Sequence, residues 1–178
     1  MKTYVISLKE RSDRREKFSM PFDYEFLLQD RVTNVVGIDW SLANLGCMLG
    51  HRHAVELAKD GGLTGVLVLE DDAELIGNMP KELSYTAITF LGGNFYGTHV
   101  IGSHAVYYPA SSFDYLLNTL PTLDQLQASE HPPMLEPYDT WLSKHGVDYR
   151  NIFKSFDEEQ GDIPHGGKHS NNKLLTVI

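Results

Sequence analysis

Three consecutive carboxylates follow an apolar run near the middle of the chain. Residues 65–69 read GVLVL, and Glu70, Asp71 and Asp72 come directly after them. Adjacent like charges raise one another's pKa and destabilise a fold unless a cation neutralises them. Carboxylate oxygens are the ligands that Mg²⁺ and Mn²⁺ prefer. The segment predicts a divalent-cation site, although a solvated loop after a strand can have the same composition.

The strand period assigns separate roles to these three residues. Glu70 and Asp72 are expected on one side, because successive side chains in a strand point to opposite faces. We predict these two as metal ligands, directly or through water, with Glu70 also contacting the ligand. The carboxyl end of a buried strand is where open α/β sheets bind ligands, and a divalent cation there can bridge the phosphates of a nucleoside diphosphate. Asp71 is then a candidate catalytic residue that contacts the sugar or ribose.

Basic residues cluster near the start of the chain, at Arg11, Arg14 and Arg15. A guanidinium group matches the geometry of phosphate oxygens and can bind them through two hydrogen bonds. Arg11 and Arg14 are therefore candidates for binding the phosphates of a nucleotide donor. A solvated helix face explains the same cluster equally well.

Three further candidates lie in segments with turn or loop character. Asp39 follows a predicted strand and could bind a ribose or base, or it could be a turn or N-cap residue. His165 and His169 lie in a Gly-rich tail. They could complete the metal site or contact the diphosphate when the tail closes over the donor. A disordered tail is the alternative.

Strand and helix patterns alternate along the chain and predict an α/β architecture. The continuous apolar run at 65–69 is typical of a strand buried in a mostly parallel sheet. Residues 121–137 are predicted to form a surface loop. We expect one domain over 1–178, with 157–178 as a flexible or donor-closing tail. Strands are predicted at 4–8, 24–28, 35–40, 65–69 and 87–91, and a strand or hairpin at 100–108. Helices are predicted at 42–59, from 113 onwards and at 138–145.

Composition narrows the classes of partner. The chain has 15 Lys and Arg residues and 24 Asp and Glu residues, which give a net charge of -9. This charge disfavours binding of nucleic acid, because affinity for nucleic acid comes mainly from neutralising its phosphates. The single cysteine permits no intrachain disulfide. No segment approaches the roughly 20 apolar residues of a membrane span. We expect a cytoplasmic protein that has at most peripheral contact with a membrane.

Four stretches of the chain resemble glycosyltransferase family 25, which includes lipooligosaccharide and collagen galactosyltransferases. Residues 4–15, YVISLKERSDRR, resemble its Asn-Leu-x-x-Arg-x-x-Arg start. Residues 45–51, LGCMLGH, resemble its Gly-Cys-x-x-Ser-His element. Residues 66–72, VLVLEDD, and 136–142, EPYDTWL, resemble its Ile-Leu-Glu-Asp-Asp and Pro-x-Asp-x-x-Leu elements. Ser7 and Gly50 stand where the family usually has Asn and Ser.

The resemblance implies a GT-A-type, Rossmann-like nucleotide-sugar-binding domain with a mostly parallel central sheet flanked by helices. It also implies transfer of galactose or glucose from a UDP-sugar, with Mn²⁺ or Mg²⁺, to a glycan or glycolipid acceptor, as in lipopolysaccharide biosynthesis. Ser7 and His51 fall among the implied donor contacts, although a helix histidine is more often packed or capping. Asp139 is implied as a catalytic residue that orients or deprotonates the acceptor hydroxyl, or it is an N-cap.

Two other functional classes fit parts of the pattern. A metal-dependent phosphohydrolase also uses acidic residues after strands. A carbohydrate-binding or divalent-ion-binding module, or a degenerate transferase domain, would need no catalytic residue. Binding of UDP in preference to free phosphate, and release of UDP from a donor, would separate these classes from a transferase.

Overall fold

The computed structural model describes residues 1–33, 35, 42–79, 83, 85–95, 99–128, 137–144 and 147–155. Strands and helices alternate over residues 2–70, as the sequence predicts, but the later described residues form a run of strands, then three helices and a last strand. In chain order the elements are β1 (Lys2–Leu8), α1 (Ser12–Lys17), β2 (Glu25–Gln29), α2 (Leu42–Asp60), β3 (Gly65–Glu70), β4 (Ala73–Leu75), β5 (Thr89–Gly92), β6 (Asn94–Phe95), β7 (Val100–Ile101), β8 (Ala105–Pro109), a 3-10 turn (Ala110–Ser112), α3 (Phe113–Thr119), α4 (Leu123–Gln127), α5 (Tyr138–Ser143) and β9 (Asp148–Ser155).

The main sheet is mixed, so the predicted mostly parallel sheet is wrong. Its strand order is β2-β1-β3-β8-β5-β9-β4. The pairs β1-β2, β1-β3 and β5-β9 are parallel, whereas β3-β8, β5-β8 and β4-β9 are antiparallel. The apolar run of β3 correctly indicates burial on both faces. Burial does not depend on the direction of the neighbouring strand, and β8 returns antiparallel beside it.

The sheet curls, because consecutive strands β3 and β4 lie four places apart in it. Only Asp71 and Asp72 separate Glu70 from Ala73, a connection that can span at most about 11 Å. Four strand spacings in a flat sheet would require about 19 Å. The far edge of the sheet must therefore approach the carboxyl end of β3, which brings the end of β9 beside the acidic segment.

Side chains of β3 alternate between two hydrophobic clusters. Val66 and Val68 belong to the cluster that contains the buried residues of α2, α3 and α5. Leu67 and Leu69 belong to the cluster built around Phe18, just after α1. We call these the α2 side and the α1 side of the sheet. The alternation points Glu70 to the α2 side.

Helix α2 approaches β1 closely at one glycine. A Cβ atom on Gly50 would lie 2.6 Å from Ile6 Cγ2 and 2.8 Å from Gln29 Oε1. At Gly46, one turn earlier, the nearest atom would be 3.7 Å away. This contact is a physical reason for glycine at position 50, and it brings the buried face of α2 against the sheet.

Most of the predicted elements agree with the structure. Residues 100–108, predicted as a strand or hairpin, contain two strands, β7 and β8, which pair with other strands and not with each other. The predicted strands at 4–8, 24–28, 65–69 and 87–91 are confirmed as β1, β2, β3 and β5, and the helix predicted at 42–59 is confirmed as α2. The loop predicted over 121–137 instead contains α4, which begins with a capping box between Thr122 and Gln125. The predicted strand at 35–40 lies outside the described residues except for Val35. Within the described ranges, no helix has the length and apolar character that a bilayer crossing requires.

Candidate active site

A cavity of about 160 Å³ lies at the carboxyl ends of β1, β2 and β3. It brings together five residues that the sequence or the resemblance singled out: Ser7, Arg11, Arg14, Glu70 and Asp71. The three strands are parallel neighbours, so their carboxyl ends meet at one edge of the sheet. That edge is where α/β sheets commonly bind ligands.

Asp71 lies on the α1 side and already has a countercharge. Arg14 Nη1 donates to its Oδ1 at 2.8 Å, and Ser7 Oγ donates to its Oδ2 at 2.7 Å. Arg15 Nη1 in turn donates to Ser7 Oγ at 3.0 Å. The Asp71 side chain is only 6% exposed. This network fastens α1 to the ends of β1 and β3, and it occupies both carboxylate oxygens of Asp71.

Glu70 lies on the α2 side among weaker partners. Its Oε1 accepts from Ser103 Oγ at 2.6 Å and from Cys47 Sγ at 3.2 Å, and His51 Nε2 lies 3.8 Å away. Burial raises the pKa of Glu70, but neighbouring His51 and His104 outweigh burial and lower it to about 2. Glu70 is therefore ionised at neutral pH, in contact with the cavity.

The alternation of side chains in β3 does not extend to Asp72, because β3 ends at Glu70 and residues 71 and 72 form a turn. Its Oδ2 accepts from Ser155 Oγ at 2.8 Å and lies 3.9 Å from Arg14 Nη1. Its Oδ1 is buried without a hydrogen-bond partner. Burial and then the charge of Glu70 raise the pKa of Asp72 to about 6. The premise that Glu70 and Asp72 share one strand face is thus wrong, although the two carboxylates still lie close enough to interact.

His51 is fully buried on α2. The Tyr108 hydroxyl is 2.7 Å from its Nδ1, and the Tyr138 hydroxyl is 2.8 Å from that of Tyr108. This series of hydrogen bonds orients the imidazole so that Nε2 points towards Glu70. Nε2 is buried and makes no hydrogen bond.

Asp139, in the first turn of α5, holds the turn that follows β7. Its Oδ2 accepts from the Gly102 backbone N–H at 2.6 Å, and its Oδ1 accepts from the Thr140 N–H at 2.6 Å. The N-cap of α5 is Pro137, so Asp139 is not the N-cap. Gly102 has φ +90, a conformation that favours glycine. The turn presents Ser103 to Glu70.

Two arginines of the cavity form exposed ion pairs. Arg11 Nε is 2.9 Å from Asp13 Oδ1, and Arg31 Nε is 2.9 Å from Glu10 Oε1. Arg11 Nη2 also donates to Asp13 Oδ2 at 2.9 Å, so that pair is bidentate. The exposed Arg31–Glu10 contact should contribute little to stability, so a bound anion can replace its carboxylate more easily. The Arg14–Asp71 pair is much more buried and is held in place by the network around it.

No role is assigned from the sequence to several residues that contact this site, among them Cys47, Arg31 and Ser103. Cys47 precedes His51 by four residues in a predicted helix, a spacing that places both on one helix face and could have been noticed. Arg31 and Ser103 reach the site through the tertiary fold and carry no local signal. Asp39, His165 and His169 lie outside the described residues.

Comparisons with known proteins identify no family for this chain. No protein-family model matches it, and no curated protein matches it. Among solved structures it is similar to the "crystal structure of a glycosyltransferase involved in the glycosylation of the major capsid of PBCV-1". The two chains are 12% identical, with a TM-score of 0.45, over 86% of this chain and 92% of that chain. A likeness this distant leaves the function to be judged from the chemistry of the site.

Proposed function

We propose that this protein is a glycosyltransferase that binds a nucleotide-sugar donor in the cavity at the ends of β1 and β3. The observation that carries the proposal is the arrangement of charge there. Arg11, Arg14 and Arg31 line the same cavity as Glu70 and Asp71. Such a site can hold a diphosphate between guanidinium groups and a carboxylate-bound cation. Membership of family 25 and a GT-A-type organisation belong to the same proposal.

The three arginines have different roles in the proposed binding of the donor. Arg11 and Arg31 exchange their exposed carboxylate partners for phosphate oxygens, and Arg31 does so more easily, since little free energy is lost with its pair. Arg14 remains on Asp71 and contributes a fixed positive charge to the cavity wall. The donor is a UDP-hexose, and the acceptor is a saccharide or a lipid-linked saccharide.

Glu70 and Asp72 fit the Mn²⁺ or Mg²⁺ that the family resemblance implies. Asp72 keeps one buried oxygen without a hydrogen-bond partner, and the charge of Glu70 acts on it. Two interacting carboxylates with an orphaned oxygen are the donor set that such hard cations prefer. When bound, the ion would neutralise charge on the leaving diphosphate. His165 and His169 remain predicted additional ligands.

Asp139 is proposed to position the site more than to abstract a proton. Both of its carboxylate oxygens accept backbone hydrogen bonds. Those bonds fix the Gly102 turn and, with it, the Ser103 hydroxyl that donates to Glu70. A general base needs a carboxylate oxygen that can accept the proton of the acceptor hydroxyl. In Asp139 both oxygens already accept backbone hydrogen bonds, which compete with that proton.

The test is donor binding and turnover in matched variants. Calorimetry should detect UDP binding that requires Mn²⁺ or Mg²⁺, and the protein should release UDP from UDP-galactose or UDP-glucose. Asp72→Ala should abolish turnover with an unchanged circular dichroism spectrum, and Arg31→Gln should weaken UDP binding. Lys59→Gln, an exposed residue paired with Asp114, should behave as wild type.

Three outcomes would overturn the proposal. Normal turnover in Asp72→Ala would remove the basis for the metal assignment. Binding of free phosphate but not of UDP would indicate a phosphohydrolase. UDP binding with no UDP released from any donor would indicate a binding module.

A further inference from the structure

Cys47, His51 and Glu70 bring three metal-ligating atoms together at the end of β3. Cys47 Sγ, a ring nitrogen of His51 and a Glu70 carboxylate oxygen all lie within 4.8 Å of one another. Cys47 and His51 are one turn apart on α2, and the close contact of Gly50 with β1 brings this part of α2 against the sheet. Glu70 reaches them because it points to the α2 side. The group is distinct from the Glu70–Asp72 pair discussed above.

The buried His51 nitrogen is an independent indication that a ligand belongs there. His51 is 0% exposed, and its Nε2 has no hydrogen-bond partner. The nearest carboxylate oxygen, Glu70 Oε1, is 3.8 Å away, which is too far for a hydrogen bond. A buried polar atom without a partner is costly. A cation between Nε2 and Oε1 would give Nε2 the partner that it lacks.

The distances from Glu70 to the other two ligands are close to those around a tetrahedral ion. With ordinary zinc–ligand bond lengths, a tetrahedral site separates sulfur from oxygen by about 3.6 Å and nitrogen from oxygen by about 3.4 Å. The corresponding distances here are 3.2 Å from Cys47 Sγ to Glu70 Oε1 and 3.8 Å from His51 Nε2 to Glu70 Oε1. Each of these two distances is within about 0.4 Å of its tetrahedral value.

The polar residues around the three atoms complete the arrangement of a metal site. Tyr108 contacts Nδ1 of His51, which leaves Nε2 for the ion, and metal-bound histidines characteristically use their other nitrogen in this way. Ser103 contacts both Glu70 and Cys47. Because Cys47 and Glu70 line the cavity, water or a ligand oxygen can occupy a fourth position.

We propose that Cys47, His51 and Glu70 bind a zinc ion. A thiolate and an imidazole favour Zn²⁺ over Mg²⁺ or Mn²⁺, which prefer oxygen ligands. Binding displaces the proton of the Cys47 thiol to solvent, as metal binding by cysteine requires. The assignment does not depend on sugar transfer, and Glu70 is the one residue that both sites use.

The test is direct metal binding by the full chain after removal of metal with a chelator. Titration with Co²⁺ should give one equivalent and a thiolate-to-cobalt charge-transfer band, and Zn²⁺ should abolish that band. Cys47 is the only cysteine, so the band can come from no other residue. Cys47→Ser should remove it. His53→Ala, an exposed histidine on the same helix, should keep both the band and the zinc affinity.

Two further variants separate this site from its alternatives. Tyr108→Phe should weaken zinc binding about 10- to 100-fold, because it removes the group that orients His51. Asp72→Ala should keep the zinc equivalent, whatever its effect on turnover.

A folded wild-type protein that binds no Co²⁺ or Zn²⁺ would overturn the proposal and leave a His51–Glu70 ion pair as the explanation. Zinc binding that survives Cys47→Ser would overturn it too. If Cys47→Ser does not fold, protection of the wild-type thiol from iodoacetamide by Zn²⁺ decides the question, and equal reactivity with and without zinc would refute the site.

Discussion

Glu70 and Asp71 are neighbours in sequence, yet their carboxylates have different partners in the fold. Asp71, on the α1 side, is paired with a guanidinium group at 2.8 Å, and arginine stays charged under all ordinary conditions. Glu70, on the α2 side, faces a hydroxyl, a thiol and an imidazole 3.8 Å away. An imidazole carries charge only when it is protonated.

This difference separates a structural carboxylate from one available to a ligand. The network around Asp71 is complete within the protein and holds α1 in place. The environment of Glu70 lacks a permanent countercharge and includes a buried nitrogen without a partner. The proposed cation would therefore bind to Glu70 and not to Asp71. Matched substitutions on the two sides can test the contrast.

The largest effect is expected from Asp71→Asn. The amide cannot balance the charge of Arg14, whose side chain is 23% exposed. Removing the nearer of the two carboxylates beside this largely buried charge should lower the free energy of unfolding by about 3 kcal/mol. Urea unfolding followed by circular dichroism measures it. A loss below about 1 kcal/mol would show that the pair is not the anchor described here.

Gly50→Ala should have the next largest effect, and it acts on the α2 side. The new methyl group would lie 2.6 Å from Ile6 Cγ2, so α2 must shift away from β1. Overpacking of this kind should cost about 1–3 kcal/mol of unfolding free energy. The control is Gly46→Ala, where the nearest atom is 3.7 Å away. It should be neutral or stabilising by up to about 1 kcal/mol, because alanine favours helix over glycine. Equal losses in both variants would contradict the close contact at Gly50.

Tyr108→Phe should cost about 1 kcal/mol, since it removes a buried hydroxyl that contacts both His51 and Tyr138. Thermal unfolding compared with Tyr107→Phe provides the check, because Tyr107 lies in the hydrophobic cluster of the α1 side. If the two variants lose the same stability, the Tyr108 hydroxyl does not support the α2 side in the way proposed.

Glu70→Gln should lower the free energy of unfolding of the metal-free protein by less than Asp71→Asn does. The amide oxygen keeps an acceptor for Ser103 and Cys47, and no permanent positive charge loses its partner. Urea unfolding should place it well below Asp71→Asn. A loss as large as that of Asp71→Asn would mean that a protonated His51 already balances Glu70.

Much of the local structure follows from the sequence. The apolar run ending at Glu70 predicts the buried strand β3, and the helix pattern from Leu42 predicts α2 to within one residue. The periodicity of apolar residues in a short segment indicates whether it is a helix or a strand and which of its residues are buried. The prediction of a mostly parallel sheet is wrong because strand direction depends on which segments pair, and no segment carries that information alone.

The local sequence does not predict which partners the carboxylates of the acidic triplet have. The sequence by itself determined that a buried strand ends in three carboxylates and that arginines lie near another strand end. Only the tertiary structure decided which carboxylate receives an arginine, because Arg14 reaches Asp71 across 57 residues of chain. It also decided that Glu70 meets Cys47 and Ser103, which lie 23 and 33 residues away in sequence. Charge and burial depend on distances in space, and the curled sheet sets those distances.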